Sequence, residues 1–212
     1  MSVHVHPLGH PRRVRGLAKA CVDLGGATIL IILSVPLLVA ATVAILLFDG
    51  RPILFSQTRV GRNGRPFTMW KLRTMRRDAE AMRASLLDRN ELDGHTFKMR
   101  GDPRATRLGR GLRRFSIDEL PQLWNVIRGD MSLVGPRPLL PDEVQGLADV
   151  AHWRLGVRPG ITGLWQVSGR ADLPWRDAER LDRHYLDNWS VALDIVVLWR
   201  TIGAVLSGRG AY

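Results

Sequence analysis

Residues Leu24 to Phe48 carry no charge and are mostly apolar, with Pro36 near the centre and basic residues on both flanks. About 20 helical residues cross the hydrocarbon core of a bilayer, so the run is long enough to do so. A straight crossing would put its ends on opposite sides of the membrane, and excess Lys and Arg marks the cytoplasmic side. Arg12, Arg13, Arg15 and Lys19 precede the run, while Arg51, Arg59, Arg62, Arg65 and Lys71 follow it. Both ends therefore ask for the same side. A proline inside a helix removes a hydrogen bond and bends the chain, and Ser34 is placed to satisfy a freed carbonyl. Each arm from Pro36 is about 13 residues, roughly 20 Å at 1.5 Å per residue, too short to cross alone. The pattern predicts a re-entrant helix-break-helix that dips into one leaflet and returns, with Ser34 and Pro36 at the bend. The alternative is a single span with a tolerated proline. A signal peptide fits poorly, because the run is too long and the leader too extended.

The 212 residues carry a net charge of +11, and Arg greatly outnumbers Lys. That balance implies an anionic partner: phospholipid head groups, phosphorylated substrates or nucleic acid. The apolar run favours membrane lipid and lipid phosphate, and argues against a nucleic-acid module. Cys21 is the single cysteine, which excludes an internal disulfide and a cysteine metal site. His4, His6 and His10 sit in the leader without paired helical spacing and read as a solvated tail.

The periodicity predicts a helix-rich α+β protein in three parts. Residues 1–12 form a disordered leader. Residues 13–50 form a basic helix and the re-entrant membrane helix. Residues 51–212 form the main domain, with a small β-hairpin, on the side that the basic flanks mark as cytoplasmic. Ile53–Val60 and Pro66–Leu72 read as its strands, with Asn63-Gly64 in the turn. Asp78 reads as the cap of a helix through about Leu92, and Asp102-Pro103 as the start of another. Further helices are expected from about Asp118 to Ile127, over Asp142–Leu155, over Pro174–Asp187 and over Ser190–Leu206. Leu133–Pro141 reads as a loop, and Arg158–Arg170 as a loop or short strand. Ser190–Leu206 is apolar but interrupted by Asp194 and Arg200, as in a core or interfacial helix. Trp165, Trp175, Trp189 and Trp199 suit either core packing or a membrane interface.

Arginines surround one acidic pair, Asp118-Glu119, between Asp102 and Arg137. Were Ser116 the helix cap, Glu119 would complete a capping box, but Pro121 would fall where an N–H is needed. With Asp118 as the cap, Pro121 falls at N3, where none is needed. That register puts Asp118 at a helix N-terminus, a natural anion site. Asp118 is then either a simple N-cap or a carboxylate nucleophile beside a second carboxylate, with arginine forks gathering phosphate. Two carboxylates facing phosphates also invite Mg²⁺.

Longer runs sharpen this. They are Gln57-Thr58-Arg59-Val60-Gly61, Phe67 to Met75, Asp102-Pro103-Arg104-Ala105-Thr106, Ser116 to Val126, Gly129 to Pro138 and Arg158 to Arg170. In this order they make the chain resemble bacterial sugar transferases of the monotopic phosphoglycosyl transferase family, from about Arg15 to Tyr212. The resemblance implies a UDP-sugar donor, Mg²⁺ at Asp118 and Glu119, and Asp118 as the nucleophile. A covalent phosphosugar enzyme would form with release of UMP, and polyprenyl phosphate from the membrane would then take the phosphosugar. It implies substrate contacts at Lys71, Arg113 and Arg137, with Asp130, Arg158 and Arg170 as further candidates. Glu119 would be a metal ligand or proton acceptor. Members often have serine directly before the helix proline, whereas here Val35 separates Ser34 from Pro36. The short leader predicts the catalytic core without the four membrane helices and extra domain of larger members. The C-terminal Tyr185, Asn188-Trp189-Ser190, Leu193-Asp194 and Gly210-Ala211-Tyr212 resemble members that begin exopolysaccharide or O-antigen synthesis with galactose or glucose. The expected location is the cytoplasmic face of the bacterial inner membrane, and a second copy of the chain is a further candidate partner. Two other classes remain: a membrane glycosyltransferase releasing UDP, and a non-enzymatic polybasic membrane scaffold.

Overall fold

The computed structural model describes residues 12–83, 85–86, 99, 101–146, 151–169 and 174–208. Helix α1 (Arg12–Phe48) is long and apolar enough to cross a bilayer. It touches the rest of the protein along one narrow seam: Asp23, Ala27, Ser34, Ala41 and Ile45 are buried. Their spacing of four or seven residues, about one or two turns, keeps one stripe facing inward. Ile29, Ile32, Leu33, Val35, Val39 and Leu47 on the other faces are exposed. The helix is unbroken at Pro36, contrary to the predicted helix-break-helix. Ser34 also differs from expectation: its hydroxyl donates to the Ile31 carbonyl at 3.0 Å, whereas the bond that Pro36 removes is that of Ile32, four residues before it. Packing on both sides of the proline holds the helix together. Ala27 joins a core with Met69, Leu123, Val126, Leu133 and Val197. Ala41 and Ile45 join a second core with Leu72 and Leu112.

Strands β1 (Leu54–Val60) and β2 (Pro66–Leu72) form the predicted antiparallel hairpin, with Phe55 opposite Lys71. The turn holds Asn63 at φ 59° and Gly64 at φ 74°, the left-handed region that Asn and Gly tolerate. Helix α2 (Ala79–Arg83) follows; the expected continuation to Leu92 falls largely outside the described residues. Helix α3 (Arg107–Arg114) begins later than Asp102-Pro103 suggests. Asp102 is held by Arg104, whose Nη2 donates to Oδ2 at 2.7 Å. Thr106 is the actual cap, accepting from the Gly109 N–H at 2.8 Å. A 3₁₀ turn (Ile117–Glu119) and helix α4 (Gln122–Ile127) come next.

The expected loop after Leu133 instead contains the end of β3 (Ser132–Val134), which pairs in parallel with β4 (Gly160–Thr162). Within the predicted 142–155 helix, the described residues form α5 (Pro141–Gly146) and α6 (Ala151–Leu155), and 147–150 lie outside the described residues. Helix α7 (Leu164–Ser168) follows β4. Helices α8 (Trp175–Asp187) and α9 (Val191–Ser207) match expectation, with Ser190 capping α9 through the Leu193 N–H at 3.1 Å. The outer side of α9 is apolar: Ile195, Val196, Trp199, Ile202 and Leu206 are exposed.

Candidate active site

Four neighbouring pieces of chain build the centre: β2, the segment after it, α3 and the 3₁₀ turn. Gly109 permits their approach. A Cβ there would fall 2.0 Å from the Thr74 carbonyl oxygen, so α3 crosses this segment only with glycine at that position. The Thr106 N–H donates to the same carbonyl at 3.0 Å. One turn along, Arg113 Nε donates to Thr74 Oγ1 at 2.9 Å, which aims the guanidinium toward the turn. Ser116 then adopts φ 54°, ψ 24°. A non-glycine residue in this region carries roughly 1–2 kcal/mol of strain, a feature that gathers at functional sites.

That kink changes the expected setting of Asp118. It is not the cap of a long helix but lies inside the 3₁₀ turn, and Pro121 occupies the N-cap of α4. The proline needs no N–H there, and the turn packs Asp118 inward. Asp118 is 6% exposed. Burial pushes its carboxyl up to about 6, opposed by Lys71, aided by the Glu119 charge and opposed by Arg113. Glu119 stays partly exposed and accepts from Lys71 Nζ at 2.7 Å. Lys71 and Arg113 are therefore cations acting on one buried carboxyl.

Asn125 ties this assembly together. It is fully buried, accepts from the Trp70 N–H at 3.3 Å and donates to the Thr68 carbonyl at 2.7 Å. Helix α4 is thereby fastened to the strand carrying Lys71.

Arg137 belongs to an adjoining cluster. It lies 3.4 Å from Glu143 and lines a cleft with Val60, Gly61, Leu139, Arg154 and Pro159. Glu143 sits in the first turn of α5 and accepts from the Leu140 N–H at 2.7 Å, the returning half of a capping box. Arg59 lies 3.9 Å from the same carboxylate. Burial and then Arg137 lower its pKa to about 10, against Glu143 and Glu119. Arg59 thus links the two clusters electrostatically, and Gln57-Thr58-Arg59-Val60-Gly61 was the signal that could have singled it out.

The remaining candidates lie elsewhere. Asp130 follows α4, 3.3 Å from Arg128 and 3.4 Å from the Asn125 amide. Arg158 is exposed, its guanidinium against Gly129. Arg170 lies outside the described residues. A buried pair that sequence reading missed, Arg154 with Asp182, holds α6 to α8, and the Arg154 guanidinium lies over Trp153 and Trp175, 5.4 and 4.9 Å from their ring centres. No spacing rule links residues so far apart.

The sequence model of the bacterial sugar transferases matches residues 14–208, and the chain belongs to that family. It is 45% identical over 201 residues to galactosyl transferase CpsE of Streptococcus agalactiae, covering 92% of this chain and 43% of that protein. It is 39% identical over 208 residues to exopolysaccharide production protein ExoY of Sinorhizobium fredii, covering 96% and 92% respectively. It is 42% identical over 168 residues to undecaprenyl-phosphate galactose phosphotransferase of Salmonella typhimurium, covering 77% and 35%. The chain thus spans less than half the length of the first and third relatives, and nearly all of the second.

Proposed function

We propose that this protein transfers a sugar 1-phosphate from a UDP-sugar to polyprenyl phosphate, giving polyprenyl-diphosphate sugar and UMP. The observation that carries the reading is the buried Asp118 carboxyl, flanked by Glu119 and acted on by Lys71 and Arg113. Relatives named as undecaprenyl-phosphate galactose and glucose phosphotransferases support it.

In the first step an Asp118 carboxylate oxygen attacks the sugar-bearing phosphorus. The new O–P bond forms as the bond to the UMP oxygen breaks, and the electron pair leaves with UMP. In the second, an oxygen of polyprenyl phosphate attacks the same phosphorus and the Asp118 carboxylate departs. Lys71 and Arg113 offset phosphate charge, and Arg137 holds a donor phosphate. Asp118 and Glu119 give a two-carboxylate donor set. This suits Mg²⁺, which takes one or two carboxylates together with substrate phosphates. When bound, Mg²⁺ supplies neutralisation of phosphate charge.

Helix α1 enters and leaves the bilayer on one face by bending at Pro36 while staying helical, and that face is cytoplasmic. Two observations support this. At the start of its apolar run, Asp23 accepts from the Leu133 N–H of β3. At its end, Arg73 donates to the Asp49, Gly50 and Arg51 carbonyls at 2.7, 2.6 and 3.3 Å. Both ends are therefore held by the same globular body. The acceptor is a membrane prenyl phosphate, and galactose or glucose is the favoured sugar, as in the names of the relatives.

The test is Asp118→Asn with UDP-galactose and UDP-glucose, Mg²⁺ and undecaprenyl phosphate in lipid. Wild type should release UMP with one donor, and the variant should release none while remaining folded and membrane-bound. Near-normal turnover in the variant would remove Asp118 as nucleophile. Release of UDP by wild type would overturn phosphosugar transfer.

A further inference from the structure

A second group of buried charges lies outside this site, where α1 meets β3 and α9. Lys19 Nζ donates to Asp23 Oδ1 at 3.1 Å, to Asp194 Oδ2 at 2.8 Å and to the Val134 carbonyl at 3.0 Å. An ammonium has three protons, and each has its acceptor. Asp23 Oδ1 also accepts from the Leu133 N–H at 3.0 Å and lies 2.9 Å from Ser132 Oγ. Asp194 is fully buried and accepts from Tyr185 at 2.7 Å and Trp189 Nε1 at 3.3 Å. Tyr185 and Ser132 have one hydroxyl proton apiece. Lys19 alone therefore reaches both carboxylates and the carbonyl together.

The position of this knot matters. Lys19 and Asp23 are the last charged residues before the apolar run, so they mark where α1 enters lipid. Val134 is the last residue of β3 and stands three residues before Arg137. The connection is stiff. The Gly135 N–H donates to the Thr162 carbonyl at 2.9 Å, and the Gly160 N–H to the Pro136 carbonyl at 2.8 Å. A Cβ on Gly135 would lie 2.8 Å from the Arg158 carbonyl oxygen.

We propose that Lys19 is a positioning residue that locks the depth of α1 against the β3 end leading to Arg137, bringing a membrane-held prenyl phosphate level with the site. The function proposed above is assumed. Lys19 touches no reacting atom; it acts through Val134 and Asp23.

Cys21, the single cysteine, is exposed on α1 between Lys19 and Asp23, and it carries the test. A spin label at Cys21, in protein reconstituted in phosphatidylglycerol-containing vesicles, reports depth through its accessibility to oxygen against a nickel chelate. Lys19→Met should shift the label by several ångströms, on the order of one 5.4 Å helical turn. It should lower UMP release about tenfold with undecaprenyl phosphate in the bilayer but by only about twofold with a short, detergent-soluble prenyl phosphate. Lys19→Arg should restore depth and turnover. Because Lys19→Met strands two buried carboxylates, Lys19→Met/Asp23→Asn serves as a second variant. The side-chain amide that replaces the Asp23 carboxylate still accepts from the Leu133 N–H, and Asp194 keeps its Tyr185 and Trp189 donors, so the double variant should fold yet keep the altered depth. An unchanged label depth in both variants, or equal loss on both acceptors, overturns the proposal. Absence of UMP from wild type would refute the function reading, while the label depth still decides the positioning claim.

Discussion

Lys71→Met keeps an unbranched side chain only one atom shorter and removes the cation 2.7 Å from Glu119. The same cation draws the Asp118 carboxyl down against burial. An opposite charge a few ångströms away lowers a carboxyl by about 1–3 units, and the partial exposure of Lys71 favours the low end. The Asp118 titration, at about 6 in the native protein, should therefore rise by about one unit in the variant. A nucleophile must be ionised, so at pH 7 its active fraction falls from about nine-tenths to about one-half. Ionisation thus explains only about a twofold loss, and raising the pH by about two units should recover it. Any deficit left on that plateau measures the lost phosphate contact. The assay is single-turnover UMP release without lipid acceptor, from about pH 5 to about pH 9. An acidic limb that stays in place or moves down would refute the electrostatic reasoning.

Asp118→Asn should also change stability with pH. The folded pKa is raised, so the native carboxyl contributes stability present below about pH 4 that is lost as pH rises through about 6. A neutral amide escapes that loss, and thermal melts should show the variant more stable at pH 7 by up to about 3 kcal/mol. Arg154→Leu leaves Asp182 buried without its partner and should cost about 3–5 kcal/mol in urea unfolding. Arg154→Leu/Asp182→Leu should recover most of that, because both desolvated charges are gone. Gly109→Ala drives a methyl into the Thr74 carbonyl. It should cost at least about 1–3 kcal/mol and lower kcat by displacing Arg113, read by melting and UMP release together.

Local chemistry made much of the fold legible. The apolar run of α1 and the Asn63-Gly64 turn each lie within one short stretch of sequence. Asp102-Pro103 misled because a side chain has one set of acceptors, and Arg104 already occupies those of Asp102. The Asp118 cap reading failed for a different reason: the left-handed Ser116 ends α3 and opens a 3₁₀ turn. Nothing about a serine announces that conformation. Strands β3 and β4 are three residues each, too short for alternation to show, and their pairing spans distant sequence. For the candidate site, the surrounding arginines single out Asp118-Glu119 and the motif resemblance adds Lys71 and Arg113; the fold gathers all four around one turn. Glu143, Arg154 and Asp182 escaped because burial and long-range pairing, not residue type, single them out.

The amide of Asn125 stands beside β2 as a neighbouring strand would, offering one donor and one acceptor to backbone groups two residues apart. In effect the hairpin has a third strand made of a single side chain. That occupied edge offers no template for pairing with another chain. Aspartate, though the same size, would set an acceptor against the Thr68 carbonyl. A one-atom exchange at a fully buried residue would then unfasten the strand of Lys71 from the helix that follows the turn of Asp118.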